Sequence, residues 1–336
     1  MDSAVIKSEL DLLKLVESVF KGEKEAPGKL QFDGWPIIDI NVKGERYKSS
    51  LPTGMMEGLI NFQNELSRAY ATVKYNTANL QKLTNEDRSA LELIFTIKEG
   101  STDSKGNAHD WLNGIFDKIG VVLEGMTGKE KLALYSVIAL SVAGYFTYSQ
   151  YSDSQTKIAL EKEQTKQMEV VSKAAKENPL TRLRDELEPE IRHLAGETGE
   201  RVIRHIDTGY TEVVRTVQDA TAVSIGEKSY DKDDIKRIVS IKEPIKDVLE
   251  EKGSFTIEGI KKNLDYLIVN VVNHSEDLAF SIKVDLSFTP KTELDTLYDA
   301  LRDGNQLEIS YQAHYRDGEI VRARLIKLLQ PIANSV

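Results

Sequence analysis

Leu132-Ala133-Leu134-Tyr135-Ser136-Val137-Ile138-Ala139-Leu140-Ser141-Val142-Ala143-Gly144-Tyr145-Phe146-Thr147-Tyr148-Ser149 is a run of eighteen residues without one charge. A bilayer core of ~30 Å takes about 20 apolar residues in a helix, so the run sits at the short end of a membrane span. Lys129 and Lys131 precede it, and Tyr145, Phe146, Tyr148 and Tyr151 crowd its far end as an interfacial aromatic belt would. Ser136, Ala139, Ala143 and Thr147 form a stripe of small residues at helical spacing, the pattern that lets two helices approach closely inside a membrane. The run is apolar all round and has no charged stripe. It therefore predicts a transmembrane helix over 126–151. The competing reading is a helix buried in protein, which the hydroxyls and the short length favour.

Residues 152–178 are densely charged and contain no Gly or Pro. Lys157/Glu161 and Glu169/Lys173 are opposite charges four apart, and Ile158, Thr165, Met168, Val171 and Ala175 make a thin apolar seam. This predicts a solvated stalk helix, weakly coiled-coil, continuing the apolar one. Asn178-Pro179 ends it, because proline disfavours helix at the residue before it.

Upstream, 1–125 reads as a small α+β domain. Leu10, Leu13, Val16 and Val19 give a first amphipathic helix, and Pro36 to Val42 gives a short strand. A helix follows from Thr53 with a stripe of Met56, Leu59, Phe62, Leu66, Ala69 and Val73. Thr84 with Asp87 three residues on looks like a capping box, Leu91 to Ile97 like a strand, and Trp111 to Leu123 like a helix. Downstream, 179–252 reads as helical with breaks at Gly196, Gly199, Gly226 and Pro244. Over 253–330 the period changes to two. Leu278, Phe280, Ile282, Val284, Leu286 and Phe288 alternate, and so do Ile309, Tyr311, Ala313 and Tyr315. Arg316-Asp317-Gly318-Glu319 is a hairpin turn, and Thr292 to Leu301 is a helix. The fold class is thus α+β, ending in an antiparallel sheet or partly open barrel crossed by one helix.

The formal net charge of -10 opposes binding of nucleic acid, which relies on a positive face. With no cysteine there are no disulfides, thiol nucleophiles or cysteine metal sites. The first residues lack a charged leader and a long apolar run, so no cleavable signal peptide is expected. Gly125 to Glu130 is similar to the end of a phosphate loop, yet Leu123 stands where the first glycine belongs and Glu130 replaces the metal-binding hydroxyl. Asp231-Lys232-Asp233-Asp234 opens like a calcium loop but lacks the glycine and glutamate that complete one. His109-Asp110 beside Trp111 has the makings of an oriented general base, with no serine elbow or cysteine to serve. Arg322 and Arg324 share one face with Lys283 and Lys327 near, either as a basic patch or as the solvated side of the sheet; the second is the simpler.

No catalytic residue, cofactor or metal ligand set emerges. The expected function is a membrane-anchored, non-enzymatic binding or regulatory protein, single-pass in a bacterial inner membrane with its N-terminal domain in the cytoplasm. Its expected partners are protein, membrane lipid and further copies of itself. The layout, and no motif, resembles bacterial or phage membrane effectors and sensors, including those of anti-phage defence. Two alternatives stand beside it: an anchored enzyme using carboxylates and His109, and an oligomeric subunit, such as a phage structural component, whose apolar helix is buried between protomers.

Overall fold

Period-two alternation and helical stripes fold the chain into a mixed α/β protein, seen in a computed structural model that describes residues 3–47, 50–97, 104–106, 108–147, 178–240, 248–275, 278–316 and 319–329. Two compact units divide it. One comprises Met1–Tyr70 with Ser89–Ser240, the other Ala71–Arg88 with Ile241–Val336.

In the first unit, strand β1 (Ser3–Ile6) pairs in parallel with β2 (Lys29–Phe32). Helix α1 (Glu9–Phe20) starts at Ser8, whose hydroxyl accepts the Asp11 N–H, and buries Leu12, Leu13, Val16 and Val19. A second sheet holds β3 (Ile38–Lys43), β4 (Phe95–Ile97) and β5 (Ser104–Gly106), and is extended by the hairpin β6 (Ala222–Ile225) and β7 (Lys228–Asp231), in the order β4-β5-β3-β6-β7. The helices are α2 (Thr53–Tyr75), whose C-terminal residues belong to the second unit, α4 (Ala108–Ile119), α5 (Gly128–Ala143), α6 (Pro179–Arg215) and α7 (Lys232–Ser240). Helix α3 (Asn85–Ala90) lies at the unit boundary, with Thr84 and Asp87 exchanging the two hydrogen bonds of a capping box. The 179–252 stretch, expected to be helical, therefore carries a hairpin. Its strands are four residues long, too short for a period to stand out, and Gly226 turns it at φ 56°.

The apolar run is where the structure corrects the sequence reading most. Helix α5 is 16 residues long, about 24 Å at ~1.5 Å per residue. Among the described residues no helix is long and apolar enough to cross a membrane. The expectations of a transmembrane helix over 126–151 and a single-pass inner-membrane location are overturned. The physical reason is that protein surrounds this helix on every side. It packs against α6, α1 and α4, and Leu132, Leu134, Val137, Leu140 and Val142 are all buried. Its N-terminus is closed by a capping box of Thr127 and Glu130. At its C-terminus Gly144 and Tyr145 N–H groups reach the Leu140 carbonyl, the Tyr210 hydroxyl donates to Val142 O at 2.6 Å, and the Glu227 N–H donates to Ala143 O at 3.1 Å. Terminal carbonyls are thus satisfied by protein groups. The expected stalk over 152–177 lies outside the described residues.

The second unit is a closed barrel. Strands β8 (Val248–Lys262), β9 (Tyr266–Asn273) and β10 (Leu278–Asp285) form a meander, helix α8 (Lys291–Asp303) follows, and β11 (Gln306–Arg316) and β12 (Glu319–Leu328) form a hairpin. The ring order is β10-β12-β11-β8-β9. A register shift between Ile257 and Gly259 bends β8, which pairs with β9 and β11. Alternate residues point inward: Phe255, Val269, Phe280, Ile282, Ile309 and Tyr311 fill the barrel, and Leu297 and Ala300 of α8 join their cluster.

Candidate functional site

Two clusters of titratable groups in the first unit are closed off from solvent. Helices α2 and α6 approach closely at glycines. A Cβ on Gly209 would meet the Phe62 ring at 2.8 Å, and one on Gly58 would sit 3.1 Å from Val213 Cα and collide with the Thr216 hydroxyl. That approach brings Glu65 Oε2 within 3.0 Å of His205 Nδ1 and leaves Oε1 3.3 Å from Arg68 Nε. The Glu65 and His205 side chains are 2% and 8% exposed, so this carboxylate–imidazole pair holds two helices together and faces no substrate.

A second cluster joins Glu9 of α1 to Arg184 of α6 at 2.8 Å. Burial raises the Glu9 carboxyl above its ordinary range, with Arg184 and a hydrogen bond from Tyr145 opposing. Tyr145 and Phe146, expected in an interfacial belt, instead lie under cations of α6. Arg184 stands 4.4 Å from the Tyr145 ring centroid and Arg192 5.3 Å from that of Phe146. Of the small-residue stripe, Ser136 donates to the Leu132 carbonyl, Ala139 and Ala143 are buried, and Thr147 is exposed with its carbonyl accepting from Arg192. Tyr148 and Tyr151 lie outside the described residues.

The remaining motifs resolve into local structure. Thr127 of the phosphate-loop-like stretch is the cap of α5. The shallow cleft of ≈ 550 Å³ beside it, lined by Val19, Gly22, Lys24, Thr127 and Lys129 among others, has its Lys129 amine bound to the Phe20 carbonyl. Asp231 caps α7, accepting the Asp233 and Asp234 N–H groups at 2.8 Å each. His109 Nε2 lies 3.5 Å from Asp110 Oδ1, and among the described residues neither His109 Nδ1 nor the core indole nitrogen of Trp111 has a hydrogen-bond partner. Among the described residues, no three His, Cys, Asp or Glu are grouped to hold a metal ion.

The barrel offers surfaces of a different kind. Leu264, in the β8–β9 turn, is 92% exposed, and Phe288, just past β10, is 79% exposed. The antiparallel register of β9 and β10 places the two loops at one end of the barrel, and the Leu286 N–H donates to the Asp265 carbonyl at 3.0 Å. Exposed Lys262, Asp265 and Lys291 neighbour the pair in the chain. Sequence reasoning missed both residues, having assigned Phe288 to the period of β10. The signal for Leu264 was there, as one apolar residue inside the polar turn Asn263-Leu264-Asp265.

On the barrel wall the outward Ile268 of β9 and Ser281 of β10 are buried. The flanking cations are engaged as well: Arg324 lies 3.6 Å from Asp285, and Lys283 4.4 Å from the Tyr266 ring centroid. No protein-family model, curated protein or solved structure matches this chain.

Proposed function

We propose that the chain is a non-enzymatic binding protein of regulatory type that self-associates through the barrel end carrying Leu264 and Phe288. The observation behind this reading is the exposure of two large apolar side chains on loops tied by a backbone hydrogen bond. Scattered apolar residues are normal on a surface, and grouped ones mark contact sites. Loops held by a rigid barrel are also where recognition residues concentrate.

A second copy fits this end by charge. Lys262 and Asp265 flank Leu264, and Lys291 and Glu293 follow Phe288, so the rim carries both signs. A two-fold contact is self-complementary, and it can set each lysine against an acid of the partner. Burying four such side chains gains roughly 6–12 kcal/mol, the same order as the ~4–15 kcal/mol that association costs. The association is therefore weak.

Sedimentation velocity from low micromolar to several hundred micromolar tests it. The wild-type mass rises with concentration, and the Leu264→Glu/Phe288→Glu variant stays monomeric with an unchanged circular dichroism spectrum. A wild-type chain that is monomeric throughout, or a variant that associates equally well, refutes the proposal.

A further inference from the structure

Strand β8 outruns its neighbour on one side. Its 15 residues pair with β11 over 248–256 and with β9 only over 256–262. Among the described residues, 248–255 therefore have β11 on one edge and no strand on the other, because β9 ends at Asn273 and β10 returns beside it. Along an antiparallel strand the N–H and C=O groups point to alternate sides, so half of those on this stretch face the open edge. A ladder left open in this way is a template for another chain.

The side chains decide which chain fits. Glu250 and Lys252 point outward by period two and are exposed, as are Val248 and Leu249 at 48% each. Glu251 points to the inner face, where its carboxylate accepts the Tyr311 hydroxyl at 2.9 Å and the Tyr315 hydroxyl at 2.8 Å. Both tyrosines belong to β11, so this charge is drawn away from the open edge. An edge with charges of one sign repels its own copy, whereas this one carries both signs two residues apart. In an antiparallel two-fold junction centred on Glu251, Glu250 of each copy stands opposite Lys252 of the other. Leu249 then stands opposite Gly253, which has no side chain to compete for the space. Centring the junction on Glu250 or on Lys252 sets like charges face to face, so charge singles out one register.

We propose that β8 is a self-recognition edge: two copies join along residues 248–254 in antiparallel fashion, centred on Glu251, and continue one sheet through both barrels. The backbone ladder supplies the affinity and the Glu250–Lys252 pairs supply the register. The junction covers little apolar surface and is weaker than the barrel-end contact, so it is read by covalent trapping and not by mass. It lies at the end of β8 remote from Leu264 and involves neither loop, so it stands or falls apart from that contact.

The test uses the full chain carrying Leu264→Glu/Phe288→Glu, and it exploits the absence of native cysteine. Val248→Cys/Ser254→Cys sets two thiols opposite each other in the proposed register. Opposite Cα atoms of an antiparallel pair lie about 4.5–5.5 Å apart, within reach of a disulfide. Under mild oxidation this variant is expected to form a covalent dimer faster than a control with thiols in place of the exposed Lys236 and Asp295. Adding Glu250→Lys sets lysine against lysine and slows trapping about ten-fold. Adding Lys252→Glu as well restores it, because the exchanged pair is again complementary. Circular dichroism checks that each variant is folded. Dimer formation no faster than in the control, or an exchange that fails to restore it, overturns the proposal.

Discussion

The Tyr210 hydroxyl of α6 donates to the Val142 carbonyl in the last turn of α5 at 2.6 Å, and also lies 3.2 Å from the Ser141 carbonyl. One buried phenol thereby closes the end of the most apolar helix with a group from the same chain. Burial holds the Tyr210 hydroxyl well above its ordinary range, so it stays a donor at all pH values of interest. Tyr210→Phe leaves the Val142 carbonyl short of a donor in a dry site, while Ser141 O keeps the Gly144 N–H at 2.9 Å. It is expected to lower unfolding free energy by about 1–3 kcal/mol in a urea titration, with little change in the slope.

Gly226 closes the same helix end from another direction. Its φ is 56°, and a Cβ there would lie 2.6 Å from the Ala143 carbonyl oxygen. Backbone occupies that space and cannot rotate away. Gly226→Ala is expected to cost roughly 1–3 kcal/mol, more than an ordinary exposed-turn glycine, because strain and overlap act together. Thermal unfolding measures it directly.

Glu9 supplies a pH signature. Its folded carboxyl titrates above 4.5, chiefly through burial. Between 4.5 and that raised value the folded state binds more protons than the unfolded one, so this group's contribution to stability falls as pH rises. Subtracting the stability profile of Glu9→Gln from that of the wild type isolates the effect. The difference should decline from pH 4.5 upward, and a flat or rising one rules out the assignment.

His205 and Glu65 predict coupling. Glu65 bonds both His205 and Arg68 in this buried site, so Glu65→Ala or His205→Ala removes the 3.0 Å contact, at about 1–3 kcal/mol. The double replacement by apolar residues should cost less than the sum of the single changes. A double-mutant cycle with purely additive values means that the pair does not interact.

Much of the barrel could be read from period alone. The alternation from Leu278 marks β10, Thr292 to Leu301 falls inside α8, and Arg316 to Glu319 lies where β11 turns into β12. The uniform apolarity of Leu132 to Ala143 was equally visible but ambiguous. A helix surrounded by α1, α4 and α6 has no polar face to keep, and a lipid-facing helix has none either. Length separates the two, and Gly144 at φ 91° ends α5 before the eighteen-residue run does. The packing of residues 77–83 was beyond reach of local pattern. Nothing within them indicates that Asn79 and Gln81 bond the Ser281 carbonyl and the Ala323 N–H some 200 residues away, because those backbone groups are placed only once the barrel has formed.

The central structural claim is that α5 is solvated by this chain's own interior, and urea unfolding of the wild type and Leu140→Ala in detergent-free buffer tests it most directly. Leu140 is fully buried, so the substitution is predicted to lower unfolding free energy by about 2–5 kcal/mol in one cooperative transition. A chain that stays in solution only with detergent, or a variant with an unchanged midpoint, would contradict it.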